Sequence, residues 1–290
     1  MKLESLDVPG LLKQHGLLPN KRLGQNFLID DSALERVVGV SGVTAQDDVL
    51  EIGPGLGSLT RLLAMQARRV VAVELDAGLL PALGQVVAPF PNVTVREGDI
   101  LALDPAGLME QTGYLVIANI PYYITSAVIR HLLESRLQPQ RLVLTVQREV
   151  AERICAVPGD MSLLALSVQV YGHPQTVGTI PAEAFYPVPQ VDSAVVRVDL
   201  YPQPLMTPAV LRTFFRLAKA GFSQKRKTLR NSLSAGMRWS PEQAASILQA
   251  AGIDPQRRAE TLSLAEWEVL AAAVSPDLSP DFQQDSSQQA

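Results

Sequence analysis

Val49-Leu50-Glu51-Ile52-Gly53-Pro54-Gly55-Leu56-Gly57-Ser58 carries a short apolar strand into a glycine-rich turn, and Ser58 opens a helix. Glycines at such a turn let the backbone pass close to a ligand, and N–H groups at a helix start face it. Outward from this segment, β-rich runs alternate with stretches of helical spacing. The strands are expected at Asp48–Ile52, Arg69–Glu74, Val93–Arg96, Tyr114–Asn119 and Arg141–Val146, with helices such as Ser58–Gln66 and Ser126–Glu134 between them. That alternation predicts parallel strands with helices on both faces. Thr176–Ile180 and Asp192–Leu200 read as late, hairpin-like strands. The expected fold is α/β, a mostly parallel Rossmann-like sheet of methyltransferase type, followed by a small all-helical domain.

The domain boundary is expected in the proline-rich stretch Tyr201–Pro208, dividing residues 1–203 from a helical domain at 204–274. Its helices are read as Arg212–Lys219, Ser223–Leu233 with Ser223 as cap, Ser240–Ala251 with Ser240 as N-cap and Pro241 at N1, and Ser263–Ala273 with Ser263 as N-cap and Glu266 at N3. The Ser/Gln-rich tail, 275–290, is expected to be disordered.

Net charge is −4, which by itself speaks against a nucleic-acid partner, but the distribution reverses that. From Leu205 to Arg238 there are eight basic residues and no Asp or Glu, leaving 17 of the 25 basic residues against all 29 acidic ones elsewhere. Arg212, Arg216 and Lys219 share a helix face, and Lys225, Arg226, Lys227 and Arg230 follow closely. Such a concentrated field is the footprint of RNA contact. A solvated helix face is the bland alternative.

Cys155 is the only cysteine, which excludes an internal disulfide and a cysteine-based zinc site. His15, His131 and His173 are scattered without metal-ligand spacing, so no metal is expected. No apolar run approaches the ~18 residues of a membrane span, and the N-terminus lacks an export signal pattern. A cytoplasmic protein, not associated with membranes, is the expectation.

Three elements at the ends of successive strands converge on one crevice. The glycine loop presents Gly53 and Gly55, Glu74 ends the next strand where it can accept from ribose hydroxyls, and Asp99 follows the third where it can accept from an adenine amine. Glu51 is either part of this site or a strand-end charge. Ser58 stands where a dinucleotide fingerprint needs its third glycine, which favours S-adenosylmethionine over a nicotinamide cofactor.

Asn119-Ile120-Pro121-Tyr122 follows the fourth strand. An exocyclic adenine amine is a poor nucleophile because its lone pair is delocalised into the ring. The Asn119 amide oxygen and a nearby carbonyl held by Pro121 can accept its N–H bonds, and Tyr122 offers a face for stacking. The alternative is an ordinary turn in which these residues do local work.

With these segments in view, the chain resembles the ribosomal RNA adenine dimethyltransferases. The resemblance rests on Lys21–Leu28, Glu51–Gly57, Glu74-Leu75-Asp76, Gly98-Asp99, Asn119–Tyr122, Gln147–Val150, Phe185–Ala194, Arg226–Leu233 and Gly252–Pro255. It implies that Asn26, Leu28, Gly53, Glu74, Asp99 and Asn119 bind S-adenosylmethionine, and that Phe185 faces the target adenine opposite Tyr122. It implies dimethylation of two adjacent adenosines in the 3′-terminal hairpin loop of small-subunit rRNA, late in subunit assembly, by a monomer. Tyr123 stands where many members have Asn. Alternatives are a large-subunit rRNA methyltransferase of macrolide resistance, a non-catalytic nucleic-acid binder of the same fold and, more distantly, a nicotinamide dehydrogenase.

Overall fold

The computed structural model describes residues 3–120 and 124–274. Two compact units form: Met1–Cys155 with Tyr171–Gln203, and Ala156–Val170 with the chain from Pro204 onward. The expected tail at 275–290 lies outside the described residues.

The first unit contains strands β1 (Phe27–Leu28), β2 (Asp48–Ile52), β3 (Arg69–Glu74), β4 (Val93–Glu97), β5 (Leu115–Asn119), β6 (Arg141–Gln147), β7 (Gly172–Ile180), β8 (Phe185–Tyr186) and β9 (Ser193–Leu200). Seven of them form one sheet in the order β4-β3-β2-β5-β6-β9-β7. β2 to β6 pair parallel, and β9 and β7 add antiparallel. β2 is buried at every residue, as a central strand covered on both faces must be. It lies between β3 and β5, where the strand order reverses, and open α/β sheets bind ligands at that point, beyond the carboxyl ends of the strands.

Helices α1 (Val8–Gln14), α2 (Asp31–Ser41), α3 (Ser58–Ala64), α4 (Leu80–Val87), α5 (Pro105–Leu108), α6 (Thr125–Glu134) and α7 (Arg148–Ile154) complete this unit. α2 starts where Asp30 accepts the Ala33 N–H at 2.7 Å and stops at Gly42, whose φ of +64° suits glycine. One core cluster joins Val37 and Val38 of α2, Leu59 and Leu63 of α3, and Val49, Ile117 and Val143 of the sheet. β7 begins four residues earlier than expected and carries an irregularity between Thr176 and Gly178.

The second unit holds α8 (Leu163–Gln169), α9 (Pro208–Phe222), α10 (Leu229–Met237), α11 (Pro241–Ala250) and α12 (Leu264–Ala273). Two expectations are corrected here. Residues 156–170 join this unit rather than the sheet: α8 packs against α9, the Leu205 N–H donates to the Val170 carbonyl at 3.0 Å, and Gly159 and Met161 both donate to the Glu260 carbonyl. The helix expected from Ser223 starts instead at Leu229. The Ser223 hydroxyl donates back to the Ala220 carbonyl at 2.7 Å and closes α9, while fully buried Leu229 anchors α10 and donates to the Arg257 carbonyl at 2.7 Å. Gly236 of α10 lies against Ala220 of α9, with no room for a Cβ between them. Phe222 stacks on Trp267, ring centroids 5.9 Å apart. Ser263 and Glu266 form a reciprocal capping box at the start of α12.

Candidate active site

Beyond the ends of β2, β3, β4 and β5 the first unit opens into a crevice. The turn after β2 places Gly53, Gly55 and Gly57 at φ of +69°, +60° and +88°, where side chains are disfavoured. Gly55 is constrained twice, because a Cβ there would stand 2.8 Å from the Phe27 ring. Glu74, at the end of β3, binds this turn into place. One carboxylate oxygen accepts the Gly55 N–H at 3.0 Å and the other the Asp76 N–H at 2.9 Å. Burial holds the Glu74 carboxyl above the usual carboxylate range despite these donors.

After β4, Gly98 donates to the Glu74 carbonyl at 2.9 Å and sets Asp99 at the rim, where its carboxylate accepts the Leu101 N–H. At the end of β5 the Asn119 amide nitrogen donates to the Asn26 carbonyl at 3.0 Å. Asn26 in turn donates to the Gly24 carbonyl, and Gln25 donates to Asp76 at 2.7 Å. These bonds join the segment Gly24–Leu28 to the ends of β5 and β3, and Phe27 and Leu28 finish the wall.

All seven residues expected around a cofactor, Asn26, Leu28, Gly53, Gly55, Glu74, Asp99 and Asn119, line this one crevice. Pro121 and Tyr122 lie outside the described residues. Phe185, expected to face the target adenine opposite Tyr122, is 1% exposed and packs in the main core. Its strand explains why. β1 and β8 pair with Leu28 opposite Phe185 and Phe27 opposite Tyr186. Leu28 and Phe185 therefore lie side by side and both join the main core, where Leu28 also borders the crevice. The exposed aromatic of β8 is Tyr186.

Sequence reasoning underrated Glu51 and passed over Gln25. Glu51 lines the crevice, is 1% exposed and has a carboxyl oxygen, Oε2, without a hydrogen-bond partner among the described residues. Burial pushes its pKa up to about 8; the Thr60 hydroxyl pulls the other way, and the Glu74 carboxylate adds to the rise. The available signal was an acid inside a strand otherwise written for burial.

Among the described residues the lining contains three carboxylates, Glu51, Glu74 and Asp99, and no Lys, Arg or His. Such a set of acceptors fits S-adenosylmethionine, a cation rich in hydroxyl and amine donors, and fits poorly the anionic pyrophosphate of a dinucleotide. Among the described residues no three His, Cys, Asp or Glu side chains are grouped so as to hold a metal ion, and no helix is long and apolar enough to cross a membrane.

In the second unit, Arg212, Arg216 and Lys219 are exposed on α9. Lys225, Arg226 and Lys227 are exposed in the turn after it, and Arg230 is half-buried on α10. The three-residue basic run therefore precedes a helix rather than forming its first turn.

A family model described as ribosomal RNA adenine dimethylase matches residues 17–271. The ribosomal RNA small subunit methyltransferase A of Dehalococcoides mccartyi (strain CBDB1) is 45% identical over 261 residues, 90% of each chain. That of Pelotomaculum thermopropionicum is 43% identical over 274 residues, covering 90% of this chain and 93% of its own. Among solved structures, the 23S rRNA methyltransferase ErmE superposes with a TM-score of 0.70 at 27% identity, over 86% of this chain and 99% of that one. A dimethyladenosine transferase from Plasmodium falciparum has the same fold, with a TM-score of 0.73 over 84% of this chain and 95% of that one, at 24% identity. The acid-lined crevice at the reversal point of a Rossmann-like class I methyltransferase sheet and a match running from before β1 into α12 agree, and the chain belongs to the ribosomal RNA adenine dimethylase family.

Proposed function

We propose that this methyltransferase uses S-adenosylmethionine to place two methyl groups on each of two adjacent adenosines in the 3′-terminal hairpin loop of small-subunit rRNA, acting as a cytoplasmic monomer on the assembling subunit. The observation that carries the cofactor reading is the lining of three acids and no base. The small-subunit reading draws on relatives at 43–45% identity that bear that name. The large-subunit alternative draws on the lower, 27% likeness to ErmE.

In this reading the cofactor supplies a methyl group on a sulfonium, and the chain supplies positions and dipoles. The glycine turn lets the ligand approach the backbone. Glu74 keeps lone pairs for ribose hydroxyls while both its oxygens accept backbone N–H groups, since each oxygen has two acceptor sites. Asp99 accepts from the cofactor's adenine. Asn26 engages the nitrogen of the Asn119 amide, so the oxygen is the end that would accept from the target amine. Drawing that N–H toward an acceptor returns lone-pair density to the amine nitrogen as it attacks, and the departing proton passes to solvent. The crevice lining has no histidine, cysteine or lysine, and none is needed, because aimed dipoles and positioning supply the rate. Arg212, Arg216, Lys219, Lys225, Arg226, Lys227 and Arg230 would hold rRNA phosphates.

Incubation with under-methylated small subunits, followed by mapping of modified nucleotides, tests this. N6,N6-dimethyladenosine at two adjacent positions of the 3′ hairpin is expected. Methylation confined to large-subunit rRNA would replace the proposal with the resistance reading.

A further inference from the structure

Glu51 is the one acid of the crevice whose charge has no local support. β2 buries it, and its neighbours in register on β3 and β5 are Ala72 and Ile117. The Thr60 hydroxyl on α3 and the Glu74 carboxylate on β3 are the polar groups that bear on it. Glu74 accepts two backbone N–H groups, whereas Glu51 Oε2 has no partner among the described residues. Among the described residues no basic side chain lines the space. A carboxylate there, 1% exposed and with no counter-charge among the described residues, would be poorly solvated, and such a group keeps its proton.

We infer that Glu51 is a neutral acid in the free protein and gives its proton to solvent when a cationic ligand enters the crevice, so that cofactor loading and deprotonation are one coupled event. This rests on the crevice being the S-adenosylmethionine site. The O–H bond breaks, the electron pair stays on the carboxylate, and the positive charge of the ligand takes the place of the lost proton. The free group's pKa of about 8 places this release in the neutral range. At neutral pH the free protein would keep most of this proton, and affinity would rise as pH climbs. S-adenosylhomocysteine lacks the sulfonium charge, so losing the methyl group would weaken the hold on the carboxylate and favour product exchange.

The test is calorimetric titration of the full chain with S-adenosylmethionine at pH 7 in buffers of different ionisation enthalpy, for wild type and Glu51→Gln. The variant cancels the titration of the ligand's own amino group. Wild type is expected to release close to one proton more than the variant, and the pH dependence of affinity should flatten in the variant. Equal release in both overturns the inference while leaving the cofactor site intact; no binding of S-adenosylmethionine to wild type removes the cofactor reading as well. Infrared difference spectra of wild type alone provide a second readout. The carbonyl band of a protonated carboxylic acid should disappear on loading, and its persistence overturns the inference even if Glu51→Gln does not fold.

Discussion

The crevice of the first unit and the α9–α10 face of the second are opposite in charge. One gathers three carboxylates and no base; the other spreads eight basic residues from Leu205 to Arg238 without an acid. Elsewhere in the second unit balance is routine: Glu266 is paired with Arg257 and held down to about 2, first by that hydrogen bond, then by its capping bonds to Ser263. Glu51 rises to about 8 with no cation beside it. Opposite signs in the two regions suit the proposed ligands, a small cation in one and a polyanion on the other.

The largest expected effect removes an aromatic from this contrast. Phe185→Ala should cost ~3–5 kcal/mol of stability, the usual price of emptying a large core position, read as a lowered denaturation midpoint. A variant as stable as wild type but slow in methyl transfer would return Phe185 to the target base. Asn119→Ala should slow methyl transfer by ~10²-fold or more with S-adenosylmethionine affinity little changed, because a dipole aimed at the reacting amine is lost. Turnover within about threefold of wild type would make the loop structural. Replacing Arg226, Lys227 and Arg230 together by Gln should lower the slope of log affinity against log salt by about 2, roughly tenfold in subunit binding, with cofactor affinity unmoved. An unchanged slope would mean that the basic face is only solvated.

The smallest effects separate the two kinds of carboxylate by the sign of their pH response. Raised to about 8, Glu51 favours the folded state most at low pH, and that contribution fades as pH climbs from about 4.5 through 8; Glu51→Gln should remove this alkaline decline in melting temperature. Lowered to about 2, Glu266 contributes fully above about 4.5 and loses its contribution as pH falls through 2. Glu266→Ala should cost ~1 kcal/mol near neutrality, a typical value for a lost helix cap. Melting curves whose pH profiles shift in the same direction for both variants would dissolve the distinction.

The central strands and the crevice were legible because their signals are local. An apolar run, a glycine turn and an acid at the next strand end are written within a few residues each, and all seven expected cofactor contacts line one cavity. What the sequence hid depends on distant partners. Ser223 carries the signature of a helix start, but its hydroxyl closes α9 and the buried Leu229 decides where α10 begins. Phe185 and Tyr186 are adjacent in a two-residue strand, too short to reveal which faces the core; pairing with Leu28, far back in the chain, decides it. Residues 156–170 show no shift in composition, and only packing on α9 assigns α8 to the second unit.

One paired titration tests the opposition of the two regions most directly: the affinity of a single preparation for S-adenosylmethionine and for under-methylated small subunits, each between about 50 and 200 mM salt. Subunit affinity should fall by about a hundredfold or more as released counterions cease to drive binding, whereas cofactor affinity should change by less than about threefold, because its contacts lie in a buried crevice. Parallel curves, with subunit binding as indifferent to salt as cofactor binding, would contradict the account.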